Sequence, residues 1–118
     1  MRYQDLTVWQ KSMYLVDLVY EIAEKLPKDE RFGLWSQITR AVIFIPSNIA
    51  EGSGRATQNE NRRFLSSARG SLYELTTELL IVERRNYCII PDEVKELCNQ
   101  IAKMLTHMLR AKQQDTNS

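Results

Sequence analysis

The chain is poor in the residues that most enzymes and secreted proteins depend on. Its 118 residues include one histidine, two cysteines, four glycines and three prolines. A lone histidine, His107, lacks the orienting partner that a catalytic base needs, and it is read as a core or boundary residue. Cys88 and Cys98 lie ten residues apart on predicted helical segments. That spacing suits neither a zinc site nor a disulfide framework, so two packed thiols in a reducing compartment are expected. No apolar stretch approaches the roughly 20 residues of a membrane span. The N-terminal segment also lacks the uninterrupted apolar core of a signal peptide. A cytoplasmic chain with no membrane role is the reading. Scarce glycine and proline, with no apolar–polar alternation, exclude a sheet-rich fold.

Four helical blocks make up the chain. Leu6, Trp9, Met13, Val16, Tyr20 and Ala23 repeat at 3-4 spacing and mark one face of the first. The second is expected to start near Asp29 or Glu30 and to pack Leu34, Ile38, Ala41, Ile45 and Ile49 inward. The third opens on Thr57, a cap with Glu60 placed to reach back to it. It buries Leu65, Ala68, Leu72, Leu75, Leu79 and Val82, and Gly70 and Ser71 read as permitting close helix approach. Asn86 is expected to end it as a left-handed cap. The fourth starts at Pro91, with Val94, Leu97, Ile101, Met104 and Met108 as its stripe and Cys98, Leu105 and Leu109 broadening it. Short connections between amphipathic helices imply an all-α, antiparallel up-down-up-down four-helix bundle. One domain is expected over residues 1–112, with a frayed tail at 113–118.

Two stretches of the second helix stand out. "AVIFI" (41–45) is apolar all the way round. Val42, Ile43 and Phe44 cannot all face one core, so they are assigned to a subunit contact. "IPSNIAEGSGR" (45–55) carries Pro46, Ser47, Asn48, Glu51, Gly52 and Gly54. Pro46 deprives the Val42 carbonyl of its helical donor. Ile45 and Ile49 stay in phase across it, which predicts a kink in helix two instead of a stop, with Ser47 and Asn48 serving the freed backbone groups. The glycines resemble a phosphate loop only superficially, because neither a GK[ST] ending nor a preceding strand is present. They are read as the stop of the second helix.

Searches for chemistry fail one after another. Di-iron bundles need Glu-x-x-His, and position 104 is Met. No arginine closely precedes His107, as helical RNases with an Arg–His motif require. The carboxylate pairs Glu21/Glu24 and Glu93/Glu96 have no matched acidic partners for magnesium and read as solvated faces. No metal, cofactor or catalytic residue is assigned, and the chain reads as no enzyme.

Charge is more informative. Between Ser36 and Tyr73 stand Arg40, Arg55, Arg62, Arg63 and Arg69, with no lysine, against Glu51 and Glu60, a balance of +3 where the whole chain has +1. Arg62, Ser66, Arg69 and Tyr73 share one helical stripe, away from the apolar one. Guanidinium forks suit phosphate or carboxylate, and a tyrosine ring can stack on a base. The candidate binding residues are therefore Arg40, Arg55, Arg62, Arg63, Arg69 and Tyr73. RNA or DNA is one class of ligand and an acidic protein partner the other.

"DLTVWQKSMYLVDLVYEIAEKLP" (5–27), "FGLWSQITRAVIFIPSNIAEGSGR" (32–55) and "FLSSARGSLYELTTELLI" (64–81) together resemble the 23S rRNA intervening-sequence proteins of bacteria. The resemblance covers about residues 3–90, through "SQI-x-RA", "IPSNIAEG" and "A-x-GS-x-x-EL". It implies an antiparallel four-helix bundle, a homopentameric ring and no catalytic residues. The family's name records where some of its genes lie. It also implies similarity to the accessory proteins of diversity-generating retroelements, which bind a reverse transcriptase and nucleic acid through a basic surface. A nucleic-acid-associated oligomer is thus the first expectation, and a protein-interaction scaffold such as a reverse-transcriptase accessory the second. Thr39 stands where a basic residue is expected, which weakens the nucleic-acid case, and Phe44 stands where a small one is expected.

Overall fold

The computed structural model describes the backbone of residues 2–117 and the side chains of residues 2–112. Among them are four α-helices and no strand: α1 (Thr7–Ala23), α2 (Leu34–Ser53), α3 (Gln58–Arg84) and α4 (Asp92–Asn117). Short 3-10 turns at Tyr3–Asp5 and Lys28–Glu30 precede α1 and α2. Each helix packs on its chain neighbours, and α4 closes back on α1. Side-chain pairs run in opposite chain directions across α3 and α4 (Glu83–Lys95, Arg69–Thr106, Gln58–Lys112). They do so again across α1 and α4 (Lys11–Gln100, Tyr14–Glu93). The result is a four-helix bundle of 50 × 23 × 22 Å. The tail expected at 113–118 falls outside the residues whose side chains are described.

The core follows the predicted stripes closely in α3, where Leu65, Ala68, Leu72, Leu75, Leu79 and Val82 are all buried. In α1 the expected face is turned. Val8, Leu15, Val19 and Ile22 are buried, while Met13 and Tyr20 are 41% and 37% exposed. Both stripes repeat at 3-4 spacing on this helix, and spacing alone does not choose between them. In α4 the broadening set is the deeper one. Cys98, Leu105 and Leu109 are buried with Val94, Leu97 and Ile101, and Met104 and Met108 are half-buried. Both cysteines are free thiols. Burial pushes Cys98 up to about 11 and raises Cys88 as well, so neither is a ready nucleophile. His107 is exposed, contrary to the core or boundary position expected.

Helix ends explain the remaining shifts. α2 starts at Leu34, several residues later than expected, because Glu30 ends the preceding 3-10 turn and its side chain caps α2. Its Oε1 accepts from the Leu34 N–H at 3.2 Å, and its Oε2 accepts from the Tyr87 hydroxyl at 2.8 Å. A Cβ on Gly33 would stand 2.6 Å from Glu30 Oε1, so a side chain there would push the capping carboxylate aside. The Tyr87 hydroxyl, then the Leu34 N–H, hold the Glu30 carboxyl below its ordinary value. Thr57 Oγ1 accepts from the Glu60 N–H at 3.1 Å, one half of a capping box. Asn86 takes φ 60 as predicted. Asn86 N–H bonds to Glu83 O and Tyr87 N–H to Val82 O, which together form a Schellman ending. Glu83 then accepts from the Ile90 N–H and Lys95 Nζ, both at 3.1 Å, and ties the connection to α4.

Candidate nucleic-acid interface

The "IPSNIAEG" stretch is helical throughout, so α2 continues across Pro46 instead of stopping. Asn48 does not serve the freed Val42 carbonyl. Its Nδ2 donates to Phe44 O at 2.7 Å, while Ser47 is exposed. Gly52 is buried, and a Cβ there would lie 2.9 Å from Phe64 Cβ and 3.3 Å from Asn61 O. Asn61 Nδ2 donates to Gly52 O at 2.7 Å, which ties the start of α3 to the end of α2 at this close approach. Gly54 ends α2 at φ −90, outside the left-handed region, and a Cβ there would meet nothing closer than 3.7 Å. Glycine is therefore needed at 52 and not at 54. A Cβ on Gly70 would meet nothing within 4 Å among the described residues, so it supports no close helix approach there.

The proposed subunit-contact residues divide. Val42 is fully buried in the core and has no surface to offer. Ile43 and Phe44 are 39% and 42% exposed, as expected of residues the core does not use. Thr39 is buried too, and its hydroxyl donates back to Trp35 O at 2.8 Å. Position 39 is not on the free surface, so its lack of a basic residue does not bear on nucleic-acid contact.

The arginines also divide, by helix. Arg62, Arg63 and Arg69 of α3 line a groove against α4, and Arg110 of α4 lines it too. Asn59, Ser66, Thr106 and Leu109 complete its lining, and its volume is about 600 Å³. Arg69 Nη1 donates to Thr106 Oγ1 at 3.2 Å, which fixes one fork across the groove. Among the described residues, the buried Arg62 Nε has no hydrogen-bond partner. Such a donor costs free energy that an incoming acceptor would offset. Among the described residues, none of these four arginines forms an ion pair; the pairs present are Arg55–Glu51 and Lys95–Glu83.

Arg55 lies apart from the groove. It pairs with Glu51 at 3.5 Å and stands 4.6 Å from the Phe64 ring centre, with Arg63 5.8 Å from the same ring. Arg40 is on α2, over its own neighbour Phe44 at 5.4 Å, and does not line the groove. Arg40 is thus near the others in sequence but is not brought together with them at the groove. Tyr73 is 52% exposed on the Arg62–Ser66–Arg69 stripe, one turn beyond Arg69. Arg110 was missed because it stands on another helix. The signal was its place one turn beyond Thr106 on α4 and next to core Leu109.

The α3–α4 groove changes character along its length. Past Tyr73 it becomes a cleft of about 240 Å³ lined by Thr76, Leu79, Leu80, Ile90, Val94 and Cys98, with Glu83 and Lys95 at its rim. Among the described residues, no cluster of three His, Cys, Asp or Glu side chains is placed to hold a metal. No described helix is long and apolar enough to cross a membrane.

No curated protein matches the chain in sequence. The family model for 23S rRNA-intervening sequence proteins matches residues 4–107, which takes in all of α1, α2 and α3 and most of α4. With the bundle, the Pro46 stretch and the Gly52 contact all inside that match, the chain belongs to the 23S rRNA-intervening sequence protein family.

Proposed function

We propose that this protein is a non-enzymatic, oligomeric bundle that associates with nucleic acid through the α3–α4 groove, RNA being the first ligand to test. One observation carries the reading: four arginines from two helices line one groove and none has a carboxylate partner among the described residues. Arginines that serve only the fold are expected to be paired or spread over the surface. Convergent, unpaired forks suit an external anion.

Binding of labelled RNA is expected to weaken linearly in log–log terms as salt rises from about 50 to about 200 mM, because each neutralised phosphate releases condensed counterion. Arg62→Ala with Arg69→Ala is expected to lower affinity and flatten that slope. Unchanged affinity and slope in the double variant would refute the assignment.

The reading includes a homo-oligomer, a pentamer being favoured. Support comes from an apolar face on α1 and α2. Tyr3, Trp9, Met13 and Val16 meet Ile43, Pro46, Ser47 and Ala50 around an open hollow of about 320 Å³. Phe44 and Tyr20 extend the exposed apolar surface of the two helices. Light scattering at low micromolar concentration tests it, and a clean 13.8 kDa monomer overturns it.

A second reading, a scaffold or accessory subunit for a protein such as a reverse transcriptase, draws on the apolar end of the α3–α4 face. Leu80, Ile81 and Ile89 are 58%, 41% and 86% exposed there. Co-purification of a protein partner with no RNA affinity in the isolated chain would favour it.

A further inference from the structure

We infer that the α3–α4 groove takes a single strand of nucleic acid in preference to a duplex, with phosphates between the two helices and a base on Tyr73. This rests on the reading of the groove as a phosphate site and goes on to say which form of nucleic acid enters it.

The cations line the inside of a groove. Arg62, Arg63 and Arg69 stand on one wall with Asn59 and Ser66, and Arg110 stands on the other with Thr106. Packed helix axes are only about 8–10 Å apart. A duplex would rest on the ridges of such a groove and reach few of its donors. One phosphodiester strand fits between the walls and meets forks from both sides.

The stripe then supplies a base platform. Arg62, Ser66, Arg69 and Tyr73 follow one another at 4-3-4 spacing on an unbroken helix. Tyr73 therefore stands about 6 Å beyond Arg69 along the axis, near two stacked-base rises of roughly 3.4 Å each. Its ring is half exposed, and its hydroxyl has no partner among the described residues. Aromatic rings next to a cationic track are how single strands are held without sequence readout. A duplex keeps its bases paired and has none to offer.

The same geometry sets a length. Arg62 to Tyr73 spans about 16 Å of helix, which is roughly five stacked nucleotides. Beyond Tyr73 the groove turns apolar, and its only lining cation, Lys95, is paired with Glu83. The strand is therefore expected to leave the groove there.

Fluorescence anisotropy with the full chain tests this, using eight-nucleotide single strands of RNA and of DNA and the matching blunt duplexes at low salt. Single strands are expected to bind about tenfold or more tighter than duplex. Tyr73→Ala is expected to weaken single-strand binding about 5- to 150-fold, as base–aromatic stacking implies, and to leave the salt slope unchanged. Tyr73→Phe keeps the ring and is expected to bind as the parent does, which separates stacking from any disturbance of the fold. Equal affinity for duplex, or a silent Tyr73→Ala, overturns the single-strand inference and leaves the phosphate reading standing. Loss of arginine dependence with every probe overturns the phosphate reading itself.

Discussion

The two flanks of α3 are built differently. Toward α2 the contact is closed. Gly52 lets the backbone of α2 come so near Phe64 that a single added carbon has no room. Asn61 ties across to Gly52 O, and Glu78, two heptads beyond Phe64 on the same flank, is only 9% exposed. Toward α4 the contact is open. Long cations line one end and an apolar cleft the other, with Arg69–Thr106 as a polar tie across it. A flank with no room for another atom serves the fold. A flank with room and unbalanced charge is where a ligand is to be sought.

The largest expected effect comes from closing the closed flank further. Gly52→Ala is expected to destabilise the chain by about 2–3 kcal/mol, since overpacking a fixed backbone contact forces helix displacement. Gly54→Ala, two residues on, is expected to be neutral or slightly stabilising, because its Cβ has space and its φ is negative. Urea titration of the two variants makes the comparison. Equal midpoints would mean that the two helices can part at Gly52 without cost, and the closed-flank description would fail.

Glu78 gives the same flank a pH dependence. Burial, then the nearby charge of Glu74, raises its carboxyl to about 7, and Oε1 has no hydrogen-bond partner among the described residues. The folded pKa lies above the unfolded one, so the protonated form is the one that folding favours. Stability from this group is complete below about pH 4.5 and falls as pH climbs toward 7. Glu30 and Glu83, both lowered, act in the opposite sense and only at more acidic pH. Between pH 5 and pH 7.5, approximately, the melting temperature is expected to drop in the parent and to stay flat in Glu78→Gln. At the alkaline end the variant is expected to be more stable by about 1–2 kcal/mol. A parent curve as flat as the variant's would show that Glu78 finds a partner in the assembled protein.

How much of this the sequence disclosed depended on whether one helix sufficed. The α3 core was legible because Leu65, Leu72, Leu75 and Leu79 leave no rival apolar stripe. The α1 core was not. Trp9, Met13, Val16 and Tyr20 compete with Val8, Leu15, Val19 and Ile22, and which set faces inward is decided by where α2 and α4 sit. The candidate site shows the same limit. Arg62, Arg69 and Tyr73 follow from helical spacing, whereas Arg110 joins them only through the packing of α4. Arg40 looked equivalent to them in sequence and was separated by the turn between α2 and α3. The cap by Glu30 depends on Tyr87, far along the chain, and local pattern gave no sign of it.

The smallest effect concerns the face of α3 that neither neighbour covers. Gly70 sits mid-helix with nothing within 4 Å of where a Cβ would go. Glycine costs an exposed helix interior about 0.5–1 kcal/mol relative to alanine, through backbone freedom lost on folding. Gly70→Ala is therefore expected to raise stability by that amount when unfolding is measured on the isolated chain. It adds a methyl group and no charge, so RNA affinity per chain is expected to change less than twofold. If the substitution instead destabilises the protein, or shifts its mass by light scattering, the open space at Gly70 is filled by another molecule. The uncovered face of α3 would then be a contact in its own right, and the division of this helix into a closed and an open flank would need a third member.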